Sequence, residues 1–201
     1  MGEDTPWRLL SEGDGISVYV QEAPNNRFMT FKGESILDIP LARVATVLDE
    51  VESQPQWVPY LIEARHIKYL SFHERWVYSC SNAPWPLKDR DFFTHSTVEV
   101  DKKLRKIIVH MRSEEGPASI ARPDRIRGNM ARLVMALESR AGGAKTHFSM
   151  EVQVDPKGWV PDWVVNLVQS RWPRKYIEGL RRQAARAEIT PHPLIKELFG
   201  E

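Results

Sequence analysis

The side chains able to do chemistry are scattered along this chain. Six histidines (66, 73, 95, 110, 147 and 192) show neither the HxxxH nor the HExxH spacing that would put two imidazoles on one helix face around a metal. The one cysteine, Cys80, excludes an intrachain disulfide framework and every multi-cysteine metal centre. It fits a reducing compartment and reads as a small buried hydrophobe. There is no GxSxG, no P-loop and no GxGxxG, and nothing in the spacing of serines, histidines and aspartates brings them together. The densest group of chemically active side chains is NAPWPLKDRDFF at 82–93. Pro84 and Pro86 cannot donate ladder hydrogen bonds, so they end a strand and set a rigid turn, with Trp85 placed to pack over it. Arg90 and Asp91 are positioned to tie loop backbone, or each other, before Phe92 re-enters a sheet. Contact with a ligand headgroup is their alternative role. The segment has the chemistry of a corner more than of a catalytic centre.

The elements that position these groups can be read from periodicity. With 28 Lys+Arg against 27 Asp+Glu, the formal net charge is +1, so no global field draws the chain to nucleic acid or acidic membranes. No nucleic-acid partner is expected. At 201 residues, with no repeat, low-complexity run or Gly/Ser linker, one domain over 1–201 is expected, with a tail from 190 to 201. The acidic start MGEDTPW lacks an apolar leader core, and no run approaches the roughly 18 apolar residues of a membrane span. A soluble cytoplasmic protein is expected.

Ile16, Val18 and Val20 alternate after the turn-like Gly13-Asp14-Gly15, and Phe28–Phe31 reads as a second strand. Asp38 and Pro40 announce a short helix with Leu41, Val44, Ala45, Leu48 and Val51 on one face; a further turn of helix follows at 53–57. From Ile62 to Val154 the chain reads as strands: Trp76, Tyr78 and Cys80 alternate, as do Phe92, Thr94, Ser96, Val98 and Val100, then Ile107, Val109 and Met111, then Phe148, Met150, Val152 and Val154. Gly142-Gly143 is a hairpin turn. Polar partners on the other face imply an antiparallel sheet that is dry on one side only. The cover is a long helix from Pro161, with Val165, Val168, Trp172, Tyr176, Leu180 and Ala184 recurring every three or four residues. Its face of Arg171, Arg174, Lys175, Arg181, Arg182 and Arg186 reads as solvated, with membrane-surface contact as the alternative. Pro173 predicts a kink, since a mid-helix proline costs about 3 kcal/mol. Pro191 and Pro193 end the helix, and Leu194, Ile195, Leu198 and Phe199 form an apolar face expected to dock on the body.

Four motifs carry a resemblance. VQVDPKGWVPDWVVNLV at 152–168, a strand, Asp-x-x-Gly-Trp-x-Pro and a helix opening, resembles the C-terminal signature of the START (steroidogenic acute regulatory protein-related lipid transfer) domain family. APWPLKDRDFF is similar to the Pro-aromatic-Pro and Arg-Asp-aromatic segment of phosphatidylcholine transfer protein-like members. RIRGNM and RWPRKYIEGL also match in order, over about 110 residues in all. The resemblance implies an α+β helix-grip fold, in which a curved antiparallel sheet wraps a long C-terminal helix and encloses a hydrophobic tunnel for one lipid or sterol-like molecule. It also implies that the helix or a neighbouring loop moves to admit the ligand. Some members carry an arginine six residues beyond the arginine of the Arg-Asp pair; this chain has Ser96 there. A phosphate ligand would lack that charge-assisted contact, so a neutral or weakly polar ligand is the better expectation. Arg127 or Arg132 could supply a charge from another strand.

The function expected is therefore non-enzymatic binding and transfer of a lipid or other hydrophobic molecule, without a cofactor. A sixteen-carbon chain buried at about 0.8 kcal/mol per CH₂ gains roughly 13 kcal/mol, nearly what a bilayer offers, so opening of the cavity governs exchange. The segment Trp172–Tyr176, interrupted by Pro173, is the place expected to give. The wall is expected to hold Tyr78, Phe92, Thr94, Ser96, Met111, Met150, Val165, Val168, Trp172 and Tyr176, with Trp57 and Tyr60 at the entrance. An enzyme like the polyketide aromatase/cyclases, or a lipid-sensing module acting through a protein partner, are the alternatives for the same pocket. Strand facing by alternation is open to a shift of one residue, which would exchange each set for its neighbours.

Overall fold

The computed structural model describes residues 5–22 and 28–199, with the side chains of 119, 162–164, 166 and 167 outside that description. One curved, open sheet of ten strands organises the chain. The strands are β1 (Arg8–Gly13), β2 (Ile16–Gln21), β3 (Thr30–Leu37), β4 (Leu61–Ser71), β5 (Glu74–Ser81), β6 (Arg90–Asp101), β7 (Lys106–Ser113), β8 (Ile126–Arg127), β9 (Asn129–Arg140) and β10 (Lys145–Asp155). Their order is β1-β2-β3-β10-β9-β7-β6-β5-β4, antiparallel throughout, and the short β8 pairs in parallel with β6. Three helices complete the fold: α1 (Leu41–Asp49), α2 (Asp162–Ala184) and α3 (Pro193–Phe199). A 3₁₀ turn at Val51–Gln56 follows α1 where a further turn of helix is expected.

The turns obey local chemistry. Asp14 and Gly15 take positive φ (51° and 69°), the backbone a two-residue hairpin requires, and join β1 to β2. β3 extends well beyond the expected Phe28–Phe31 and runs straight through Gly33. A side chain at Gly33 would lie 2.8 Å from Cβ of Pro173 and 3.0 Å from Cδ1 of Ile177, so the absence of one lets α2 settle on the sheet. Gly179 does the same against α1's neighbour: its missing Cβ would stand 2.3 Å from the carbonyl oxygen of Trp57. Small residues thus set how closely the helix approaches on both sides.

Several expectations need correction. Pro161 is the N-cap of α2, outside its first turn, and α2 continues through Pro173 as one helical run, so the predicted kink does not break it. Asp38 does not cap α1; its carboxylate pairs with Lys145, which holds it below its ordinary pKa. The basic face of α2 is only partly solvated. Arg174 donates to the carbonyls of Gly13 and Ile16, and Arg181 to the carbonyl of Asp14 and to Ser35 Oγ, so two arginines clamp the β1–β2 turn to the helix. Arg171 and Arg182 remain exposed. The one-dry-face rule fails at β5 and β6, where all of Arg90–Thr94 is buried. Ile120, from the segment between β7 and β8, covers the outer face there and packs with Tyr78, Cys80 and Phe93. Burial raises the Cys80 thiol to about 11, so it stays a protonated hydrophobe. The tail docks as expected: Ile195 and Phe199 are buried in the main core, and the backbone of His192 donates to Thr46 Oγ1 on α1. Among the described residues, no helix is long and apolar enough to cross a membrane.

Candidate ligand-binding site

Paired residues of an antiparallel sheet point to the same side, so the registers decide what faces α2. Gly33 touches the helix, and Gly33 pairs with Met150, Met150 with Met135, Met135 with Val109, and Val109 with Val98. The inner face therefore holds Phe92, Thr94, Ser96 and Val98 on β6, Met111 on β7 and Val77 and Arg75 on β5, since Thr94 pairs with Val77 and Ser96 with both Arg75 and Met111. Tyr78 pairs with Phe93 and lies on the outer face. Its assignment to the tunnel wall is a one-residue error of facing.

Beneath the C-terminal half of α2 the space is filled. Tyr176 is buried against Trp57 (edge-on, ring centroids 5.1 Å apart), Phe148 (stacked, 6.3 Å) and Trp172 (4.9 Å), and its hydroxyl reaches Met135 Sδ at 3.4 Å. Burial raises its pKa far above the ordinary phenol value. Met150 has 0% of its surface exposed and belongs to the main apolar core. In this conformation Met150 and Tyr176 are core, and Trp57, expected at an entrance, is a buried wedge between the 3₁₀ turn and α2. Tyr60 does stand at the surface, 45% exposed, with its hydroxyl accepting from Lys175 Nζ at 2.7 Å. Val165 packs outside the main core, against Phe28 and Val160 with Leu87 alongside.

Toward the N-terminal half of α2 the apolar packing is less complete. Here Met111, Met130, Val154 and Trp172 pack on the core only partly buried, and Val168 is 42% exposed. Met130 and Val154 are register partners, and Gln169 Nε2 donates to the Val154 carbonyl at 2.8 Å, bringing the helix to this end of the sheet. The apolar strip continues into a polar groove of about 590 Å³ lined by Ser113, Glu114, Glu115, Gly116, Arg127, Gly128, Asn129 and Lys157. Ser113 joins the two: it lies two residues beyond Met111 and its Oγ accepts from the Met130 backbone N–H at 2.8 Å. Gly128 lies over the Phe92 ring, which would be 2.4 Å from any Cβ there, so Phe92 packs directly against one of the groove residues. Glu114, Glu115, Arg127 and Lys157 bring charge to the groove, but Arg127 is bonded to Asp91 and the Lys157 ammonium lies 2.7 Å from Asp155. The groove's volume is in the range of small-molecule sites.

The buried inner end holds the feature that sequence reading missed. Arg75, 5% exposed, pairs with Asp49 at the end of α1, and both border a void of about 10 Å³, roughly one water, with Phe72, Val98 and Leu137 among its walls. Arg75 stands across the strand from Ser96, whose Oγ is buried without a hydrogen-bond partner among the described residues. Thr94 Oγ1 reaches the Val77 carbonyl at 3.4 Å. The charge sought from Arg127 or Arg132 comes from neither: Arg127 is bound to Asp91, and Arg132 to Glu151 on the outer face. A signal for Arg75 existed in its alternation with Val77, masked by the stronger aromatic set of Trp76 and Tyr78.

The 82–93 corner does structural work. The Asp91 carboxylate, 2% exposed, accepts two bonds from Arg127 (2.8 and 3.2 Å) and one from Tyr78 Oη (3.0 Å). The buried Arg90 donates to the carbonyls of Lys88, Pro156 and Lys157, and burial lowers its pKa. Arg90 and Asp91 thus tie different loops and not each other. Leu87 closes the turn through its N–H to the Pro84 carbonyl, across Trp85 and Pro86, while Trp85 packs over nothing: it is 92% exposed. His95 and His110 pair with glutamates on the outer face, away from the cleft.

A model of the START domain matches residues 2–188. An uncharacterised protein of Pseudomonas aeruginosa is 24% identical over 184 residues, covering 89% of this chain and 86% of that protein. Human START domain-containing protein 10 is 29% identical over 163 residues, 80% of this chain, and the chain spans only 55% of that relative's length. The crystal structure of human STARD10 superposes with a TM-score of 0.81 at 25% identity, covering 95% of this chain and 76% of that one. A STAR-related lipid transfer protein from Xanthomonas axonopodis shares the fold, with a TM-score of 0.77 at 24% identity over 90% of this chain and 99% of that chain.

Proposed function

Since the chain belongs to the START domain family, we propose that it binds one amphipathic lipid, or a similar hydrophobic molecule, in the cleft under the N-terminal half of α2 and transfers it without catalysis. The observation that carries this reading is the junction of an apolar strip (Met111, Met130, Val154, Trp172) with a polar groove whose two cations, Arg127 and Lys157, are already paired with Asp91 and Asp155. That junction suits a chain at one end and a neutral or weakly polar head at the other. The inner pair Arg75–Asp49 is internally neutralised, which supports the same ligand class. We further propose that residues 1–201 act as one domain, in the cytoplasm, with transient contact to membranes.

Native mass spectrometry of the purified full chain tests the reading. A copurified neutral lipid is expected. Met130→Trp, which fills the cleft at a half-buried position, is expected to cut its occupancy on the order of tenfold while the protein stays folded, because a new indole occupies the volume of several methylenes. A protein that carries no lipid, and moves no fluorescent diacylglycerol between vesicles, would sink the proposal.

Admission of the ligand requires α2 to give. The packing around Tyr176 anchors its C-terminal half, whereas Gln169 and the Lys175–Tyr60 contact are polar ties close to solvent. Pro173 lacks the N–H that would bond the preceding turn, so it is the natural hinge between the two halves. Amides of the turn around Gln169–Trp172 are expected to exchange faster than those of β9 and β10, and faster still with lipid vesicles. Protection equal to the central strands, with and without vesicles, would refute the hinge.

A further inference from the structure

The helix α1 is buried on more than one face. Its sequence predicts one apolar stripe, Leu41, Val44, Ala45 and Leu48, yet Ala42, Thr46 and Val47 are also out of water. The cover over Thr46 is the tail, residues 189–199. His192 donates its backbone N–H to Thr46 Oγ1 at 2.9 Å, and the hydroxyl itself donates to the Ala42 carbonyl one turn earlier at 2.8 Å. Ile195 and Phe199 of α3 then enter the main core, 0% and 5% exposed. At its far end the tail is capped from the sheet: Arg105, in the turn between β6 and β7, donates from Nη1 to the Phe199 carbonyl at 2.9 Å. This tail lies beyond the residues matched by the START model, which end at 188.

We infer that the tail is a releasable strap over a second entrance, and that α1 and the tail open as one unit. The inference rests on the reading of this chain as a lipid carrier and adds a gate at the end of the interior opposite the groove. Position supplies the first reason. Arg105 precedes β7 and Ser113 ends it, so strap and groove stand at opposite ends of an eight-residue strand, roughly 23 Å apart at about 3.3 Å per residue. Attachment supplies the second. A seven-residue helix does not persist alone in water, and Pro191 and Pro193 interrupt its backbone continuity with α2, so α3 is ordered by docking and leaves as a unit. The third is the packing beneath α1. Ala45, Leu48 and Asp49 border the void of about 10 Å³ beside Arg75, so the inner contact of this helix is incomplete while its outer cover is the strap. Thr46, which anchors the strap, and Asp49, which answers the charge of Arg75, stand three residues apart on the same short helix and move together. Lifting α1 with the tail opens the interior at the Arg75 end.

Hydrogen exchange of the full chain tests the strap. Amides of α1 and α3 are expected to share one level of protection, below that of β9 and β10. Ile195→Ala/Phe199→Ala should speed exchange in both helices on the order of a hundredfold, while β9 and β10 stay nearly unchanged. Transfer of a fluorescent diacylglycerol between vesicles should become several-fold faster, with the amount of copurified lipid unaltered. Arg105→Gln leaves the buried side chains in place; it is expected to move both readouts the same way by a smaller factor, and it serves if the double variant fails to fold. The strap is overturned if α1 keeps its native protection when α3 loses its own, if both helices are as protected as β9 and β10, or if the central strands loosen in step with them. Faster exchange of both helices with unchanged lipid transfer overturns the second entrance. A native chain that transfers no lipid sinks the carrier reading, and hydrogen exchange still decides whether α1 and the tail open together.

Discussion

Arg75→Met is expected to lower the free energy of unfolding by about 3–5 kcal/mol, and Asp49→Leu/Arg75→Met to regain most of that loss. The reason is the buried location of the pair. Arg75 reaches inward from β5 into a region walled by Phe72, Val98, Ile107, Val109 and Leu137, and its charge is answered by Asp49 alone among the ion pairs found there. Removing the guanidinium leaves a carboxylate facing an apolar wall with little water to solvate it. Removing both charges leaves apolar groups of similar volume, which interiors tolerate well. Denaturant unfolding of the single and double variants measures the difference. A single variant within about 1 kcal/mol of the native chain would mean that Asp49 is solvated after all. The double variant should also still copurify lipid, because the pair lies beyond the half-buried strip assigned to the ligand.

Asp91→Ala should be nearly as damaging, at about 3 kcal/mol or more, and worse than Asp91→Asn. The carboxylate is the acceptor at which three strands meet: Tyr78 on β5, Asp91 itself on β6 and Arg127 on β8. Alanine leaves the Arg127 guanidinium without its two bonds and opens a buried polar hole; asparagine keeps one oxygen for Tyr78 or Arg127. Arg125 supports the same corner, donating to Tyr78 Oη and to Glu63, both at 2.7 Å. Hydrogen bonding from Arg125 holds the Glu63 carboxyl below the usual carboxylate range. That shift has a definite sign. A carboxyl depressed in the folded state stabilises the fold above its unfolded pKa, and the contribution fades as pH falls through the lower folded value. Thermal melts of Asp91→Ala and Asp91→Asn at neutral pH provide the check, and equal midpoints for the native chain and the alanine variant would show that the corner carries no stability.

Much of this architecture was legible because it depends on local chemistry. Asp14-Gly15 and Gly142-Gly143 announce turns through the backbone conformations they favour. The stripe from Trp172 to Ala184 predicts a helix with one buried face, and the buried positions Tyr176, Leu180 and Ala184 follow it. The apolar tail predicts its own docking, since Ile195 and Phe199 would be costly in water. Facing was harder. On β5 the sets Trp76-Tyr78-Cys80 and Arg75-Val77-Ser79 both lie largely out of water, and the more aromatic one was the natural choice for the inside. It is outside, because Ile120 provides a second cover.

The cleft was legible only as a class. Met111, Val168 and Trp172 were within reach of periodicity, and they border the half-buried strip; Met130 and Val154 join it because β9 and β10 pair across a register shift at Gln153/Val154. The sequence by itself determined which segments are strands and helices, their order, and the residues that must leave water, since these follow from backbone preference and from the period of the apolar pattern. Only the tertiary structure decided which side of β5 is inward, that Arg75 meets Asp49, and that a groove opens where the ends of β7, β8 and β9 meet. Alternation defines a period without a sign, and the sign comes from whatever long-range packing covers each face.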